Sequence, residues 1–251
     1  MKVADFVQRI SEVLKLEDFE DISLNGLQVG DCEHKVKKVA FAVDACQASI
    51  DAAVKAQADL LVVHHGLFWG KPLAVTGTHY TRVKTMLDNN LALFACHLPL
   101  DAHPVLGNNA QMAQALDLDE VSEFCSYHGK NIGFKGSLPV DMTVEEIIKK
   151  LGLRTDSSNI IIKGGKEKNR TVGIVSGSAA SDVLEAIEEN LDVFITGESS
   201  HAVYHDCLEK KINMLCLGHY ETEVFGVKAL MSYTERILGL ETVFIDIPTH
   251  I

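Results

Sequence analysis

No CxxC pair occurs in this sequence, although it contains six cysteines: Cys32, Cys46, Cys96, Cys125, Cys207 and Cys216. That absence excludes a zinc ribbon and a dense disulfide framework. Several of the cysteines lie in apolar runs, as in FAC at 94–96 and LCL at 215–217. They read as buried free thiols, which suits a protein of the reducing cytoplasm. Positive charge is also in short supply: the net charge is −12 with histidine neutral. A generally basic nucleic-acid surface is therefore not expected, whereas carboxylates gathered around cations are. No apolar stretch reaches the ~18 residues of a membrane span. The opening MKVADFVQRISEVL reads as an amphipathic helix, because the apolar segment and small-residue cleavage site of a secretory leader are missing. Neither a GxxxxGKS nor a GxGxxG loop is present, so no phosphate-cradling motif speaks for nucleotide binding. There is no low-complexity tract or proline-rich linker, and the polar KGGKEKNR at 163–170 reads as a solvated turn.

What remains is an ordinary globular composition, 251 residues with 47% apolar and 23% charged, ample for a real core. Apolar runs alternate with helix-period segments. Strands are expected at 36–43, 59–63 and 91–96, with helices at 46–58, 77–89, 107–116 and 144–153. This rhythm predicts βαβ units around a largely parallel sheet, an α/β fold. Residues 124–139 mix polar, glycine and apolar positions and read as a hairpin.

The second half copies the first. KVAFAVDACQASIDAAVKAQADLLVVHHG from Lys38 aligns without a gap on TVGIVSGSAASDVLEAIEENLDVFITGES from Thr171, at an offset of 133. Asp59 falls on Asp192, His64 on Gly197 and His65 on Glu198. Further on, LFACHLPLD (93–101) matches LCLGHYETE (215–223), pairing His97 with His219 and Asp101 with Glu223. The expectation is two pseudo-repeated α/β lobes, 1–123 and 124–251. The hairpin region lies at their junction, and the C-terminal segment packs back on the first lobe.

Ligand sites in parallel α/β sheets gather at the carboxyl ends of strands. His64, His65, His97, Asp101, Glu198, His219 and Glu223 all fall there. His219 and Glu223 share a face if a helix opens near 219. Gly66 is expected to break strand geometry and let both His64 and His65 reach one pocket. His201 is an intermediate candidate for substrate contact, while His34, His79, His103, His128, His205 and His250 read as isolated surface or packing residues. Several histidines with two or more carboxylates form the donor set of a two-metal site. Such a set accepts Zn, Fe, Mn, Co or Ni, and the expected place for it is between the lobes.

At VHHG (63–66), CHLPLD (96–101), TGESSH (196–201), GHYETE (218–223) and SLNGLQVG (23–30), the chain resembles the Nif-three-like family, also labelled GTP cyclohydrolase 1 type 2 homologs. The resemblance runs from end to end. It implies two divalent ions per subunit, held by His64, His65, Asp101, His219 and Glu223, with Glu223 bridging and His97 beside the metals. It also implies a toroidal homohexamer, in the compact form without an inserted domain. The reaction it implies is hydrolytic: a shared, metal-activated water attacks a nucleotide or other phosphate-containing small molecule. His97, Glu198 and His201 would then move protons or orient substrate. The alternative is a non-enzymatic metal-binding ring that handles metal or binds a macromolecule. No membrane association is expected.

Overall fold

The structure is a computed structural model and describes residues 1–153 and 159–251. Its strands, in chain order, are β1 (Gly26–Val29), β2 (Lys38–Asp44), β3 (Leu60–His65), β4 (Ala92–Ala95), β5 (Asp119–Tyr127) and β6 (Lys130–Met142). They continue as β7 (Ile160–Lys163), β8 (Asn169–Ile174), β9 (Val193–Thr196), β10 (Asn213–Cys216) and β11 (Glu241–Phe244). The helices are α1 (Val3–Leu14), α2 (Gln47–Lys55), α3 (Gly77–Asp88), α4 (Leu98–Ala102) and α5 (Asn108–Ala115). The remaining four are α6 (Val144–Lys150), α7 (Val183–Glu188), α8 (Tyr204–Lys210) and α9 (His219–Leu238).

The chain forms two compact units, Met1–Leu100 with Val227–Ile247, and Asp101–Gly226 with Pro248–Ile251. This division differs from the one expected at 123/124. The hairpin β5–β6 starts at Asp119, earlier than 124, and belongs wholly to the second unit. Val227–Ile247 belongs to the first unit because β11 extends its sheet, pairing with β2 from Glu241↔Lys38 to Phe244↔Phe41.

The first sheet runs β1-β4-β3-β2-β11, parallel except at β1. Its apolar faces are covered by residues such as Ile50 and Ala53 of α2 and Met86 of α3, all fully buried. The second sheet runs β5-β6-β8-β9-β10-β7. Only β8, β9 and β10 are mutually parallel; β5, β6 and β7 pair antiparallel. The expected parallel sheet therefore holds for the first unit, and the second is mixed.

Within this difference the repeat is exact in order: β1-β4-β3-β2 in one unit, β7-β10-β9-β8 in the other. In both, an antiparallel edge strand precedes three parallel ones. Within KGGKEKNR, 164–168 link β7 to β8, which do not pair because β9 and β10 lie between them.

The aligned aspartates explain themselves. Asp59 Oδ2 accepts from the backbone N–H groups of Lys37 and Lys38, at 2.7 and 3.0 Å. Asp192 Oδ2 accepts from those of Arg170 and Thr171, at 2.7 and 3.2 Å. Each carboxylate satisfies donors at the start of one strand from the start of its parallel neighbour, so an acceptor is required there. Burial pushes the Asp192 pKa up, but the Lys166 ammonium and these N–H groups outweigh it and hold it below the ordinary value. A depressed carboxylate stabilises the fold above its unfolded pKa of ~3.9 and loses that contribution as pH falls through the folded value. Asp192→Ala should cost about 1–2 kcal/mol at neutral pH. In urea denaturation that difference should shrink as pH falls below ~4 and on through the folded pKa; an equal cost at neutral and acid pH would refute this account.

Candidate metal centre

The two histidines of LLVVHHG both lie inside β3, not in a turn beyond it. Successive side chains of a strand leave opposite faces of the sheet, and here each imidazole meets a group at the end of a different neighbour of β3. His64 Nδ1 meets the carbonyl of Cys96, just past β4, at 3.0 Å. His65 Nδ1 meets Asp44 Oδ1, at the end of β2, at 2.9 Å, in register with its strand partner. The rings nevertheless remain 4.6 Å apart at their centroids. Gly66 does not act through backbone freedom, as expected from the sequence. A Cβ there would collide with the side chain of Gln28, whose Oε1 accepts from the N–H of Leu67 at 2.7 Å.

His97 completes this set: one ligand atom from each of His64, His65 and His97 lies within 4.8 Å of the others. Its Nδ1 faces Asp21 Oδ1 at 3.0 Å, and its backbone N–H donates to Asn25 Oδ1 at 2.8 Å. Burial pushes Asp21 up, but hydrogen bonding and charge from His97, with help from the N–H of Ser23 and from Asn25, bring its pKa down to about 2. The SLNGLQVG segment thus fastens both histidine-bearing strand ends, through Asn25 and Gln28.

In the second unit, α9 opens at His219, as the spacing required, and His219 Nε2 lies 3.1 Å from Glu223 Oε1. His219 Nδ1 meets Glu198 Oε1 at 2.5 Å, and Ser178 donates to Glu198 Oε2 at 3.0 Å. Burial works against the His219 cation, yet Glu223 and Glu198 overcome it and raise its pKa to about 9. His219 in turn holds Glu198 below the ordinary carboxylate range. Asp101, on α4, accepts at Oδ1 from Ser176 Oγ at 2.8 Å and from Asn108 Nδ2 at 2.9 Å. An oxygen of its carboxylate lies within 4.8 Å of one on Glu223. Asp101 and Glu223 are 6% and 3% exposed, so these two carboxylates are withdrawn from solvent. His201 is different. It lies exposed at the start of a short turn and, among the described residues, makes no hydrogen bond to Glu198 or Glu223.

Sequence reasoning did not find Asp21, Asp44, Asn108, Ser176 or Gly177. Asp44 and Ser176 were within reach, since one ends β2 and the other lies two residues past β8, at the strand ends of the repeated segment where polar residues gather. Asp21 gave no signal, because its partner lies 76 positions away.

The donors suit a divalent ion. Imidazoles and carboxylates are the ligand types of late first-row metals. All four imidazoles engage Nδ1 with a carbonyl or carboxylate, which in the neutral ring commits the proton to Nδ1 and the lone pair to Nε2. Such anchoring is the general mark of metal-ligating histidine. Space is kept as well: Gly177, at φ +68°, sits where a Cβ would collide with Glu223 Oε1 and press on His219 Nε2.

Curated relatives share this sequence along its whole length. One from Archaeoglobus fulgidus, named GTP cyclohydrolase 1 type 2 homolog, is 43% identical, with all of each chain covered. Another of that name, from Deinococcus radiodurans, is 41% identical and covers 98% of this chain and 93% of its own. A solved structure from Thermus thermophilus superposes with a TM-score of 0.91 at 37% identity, covering both chains entirely. The sequence profile described as Duf34/NIF3 (NGG1p interacting factor 3) matches residues 1–250, and the chain belongs to that family.

Proposed function

We propose that this protein is a metal-dependent hydrolase in which His64, His65, Asp101, His219 and Glu223 hold two divalent ions, drawn from Zn, Fe, Mn, Co and Ni. Its substrate is a nucleotide or another phosphate-containing small molecule. One observation carries the reading: every imidazole in both ligand sets has its Nδ1 anchored by an acceptor, which presents Nε2 to a cation. The name borne by the curated relatives points to the purine ring of GTP as the group opened.

Divalent ions bound there supply Lewis acidity and lower the pKa of water from ~15.7 toward ~7. The chain's own residues do the rest. Asp44 and Asp21 fix the planes of His65 and His97, so these rings need no reorganisation as charge develops. His97 Nε2 is the atom able to take or return a proton. Glu198, tied to Ser178 and His219, orients the imidazole it touches. Burial of His64, Asp101 and Glu223 keeps bulk water from screening these charges.

The test is elemental analysis of protein purified without added metal, followed by chelation and a turnover panel of nucleotides, phosphoesters and amides. Two ions per chain are expected. Their removal should lower the melting temperature by about 10–20 °C, since each ion at ~100 times its Kd contributes ~2.7 kcal/mol and each kcal/mol moves a chain of this size by ~2–4 °C. Turnover that disappears on chelation and returns with metal would establish the hydrolase. A fully loaded protein inert across the whole panel would favour the non-enzymatic metal-binding role.

A further inference from the structure

The protein has a single tryptophan, and it stands beside the histidine set of the first unit. The Trp69 ring centroid lies 5.1 Å from that of His97, nearly edge-to-face at 78°, and 5.8 Å from that of His65. Its Nε1–H donates to the carbonyl of Gly66 at 3.0 Å, which fixes the ring's orientation. The backbone around it is fastened too. Trp69 forms an isolated antiparallel bridge with Ser23, and the Phe68 carbonyl accepts from the N–H of Leu24 at 3.0 Å. Trp69 is neither buried nor open to solvent but intermediate between the two.

Here an indole held by its own hydrogen bond, and still partly open to solvent, lies against two imidazoles proposed to bind metal or move a proton. An immobilised aromatic face costs little further ordering when a flat ring stacks on it, and such stacking is tolerant of the ring's identity. We propose that Trp69 is a specificity-determining residue that stacks on a planar heteroaromatic ring, such as a nucleobase, and so selects substrates carrying one. This rests on the hydrolase reading for the site's purpose, but ring binding itself can be measured without turnover.

Because Trp69 is the sole tryptophan, its emission reports this contact directly. Guanosine monophosphate and adenosine monophosphate serve as planar probes, and ribose 5-phosphate is the control that keeps the sugar and phosphate. Metal content is determined on the same sample. In the metal-loaded protein, both nucleotides should quench the emission saturably, and ribose 5-phosphate should not. By calorimetry, Trp69→Leu should weaken nucleotide binding about 10-fold or more, Trp69→Phe should keep most of it, and neither should change metal content.

Equal affinity for ribose 5-phosphate and the nucleotides would overturn the proposal. Unchanged nucleotide affinity in Trp69→Leu would overturn it too, as would the absence of saturable quenching at millimolar nucleotide. A protein that carries no metal yet quenches saturably with nucleotides alone would support the stacking role and overturn the metal-dependent reading instead.

Discussion

Glu223→Gln is expected to weaken divalent-metal binding by about 100-fold or more while leaving the protein folded. The substitution keeps the side chain's shape and removes its charge at a position only 3% exposed. There the carboxylate faces His219 Nε2 at 3.1 Å and lies within 4.8 Å of the Asp101 carboxylate. Losing a residue that merely orients a ligand typically costs 10- to 100-fold, so losing a ligand charge should cost at least as much. The pH dependence gives an independent check. A proton and a metal ion compete for His219, whose pKa stands at about 9. Wild-type metal affinity should therefore climb as pH rises from 7 toward 9, with protons released on binding. In Glu223→Gln the strongest hold on that proton is gone, and the climb should move to lower pH. Isothermal titration in buffers of different ionisation enthalpy measures both quantities. Unchanged affinity, with the same pH profile, would remove Glu223 from the centre.

Gly177→Ala should weaken metal binding about 10- to 100-fold without altering any ligand. Two effects separate cleanly at this position. Its φ of +68° costs any residue with a Cβ about 1–2 kcal/mol of stability. In addition, the new methyl group would occupy space against Glu223 Oε1 and His219 Nε2, forcing the carboxylate to move. Gly129, at the tip of the β5–β6 hairpin, has φ +80° and nothing within 4 Å of where its Cβ would stand. Gly129→Ala should thus show the stability loss and none of the metal loss. If both variants bound metal like the wild type, the space beside Gly177 would have no part in cation binding.

The reach of the sequence is clearest where the physics is local. Alternation of apolar runs with helix-period segments located β2, β3 and β4 and the helices α2, α3, α5 and α6, and the ungapped offset of 133 exposed the repeated β2–α–β3 and β8–α–β9 segments. His219 and Glu223 could be placed on one face because four residues make about one helical turn. The coincidence of Asp59 with Asp192 was visible as a pattern. Its cause, two backbone N–H groups at the start of the neighbouring strand, emerged only once the strands were paired.

Other features depended on contacts between segments distant in the chain. Gly66 suggested a turn, and its role is instead to make room for Gln28, 38 positions earlier. Asp21 could not be linked to His97 across 76 positions, because nothing in the sequence near either residue encodes the meeting. The antiparallel pairing of β6 with β8 and of β7 with β10 was equally hidden, since strand direction follows from which strand becomes the neighbour. By itself the sequence determined the α/β class, the duplication and the residue types able to bind metal, because periodicity and composition are properties of short segments. Tertiary structure alone decided which carboxylate or carbonyl anchors each imidazole, which glycine keeps space open and where the units divide. Those are consequences of sheet order, which brings remote residues within hydrogen-bond distance.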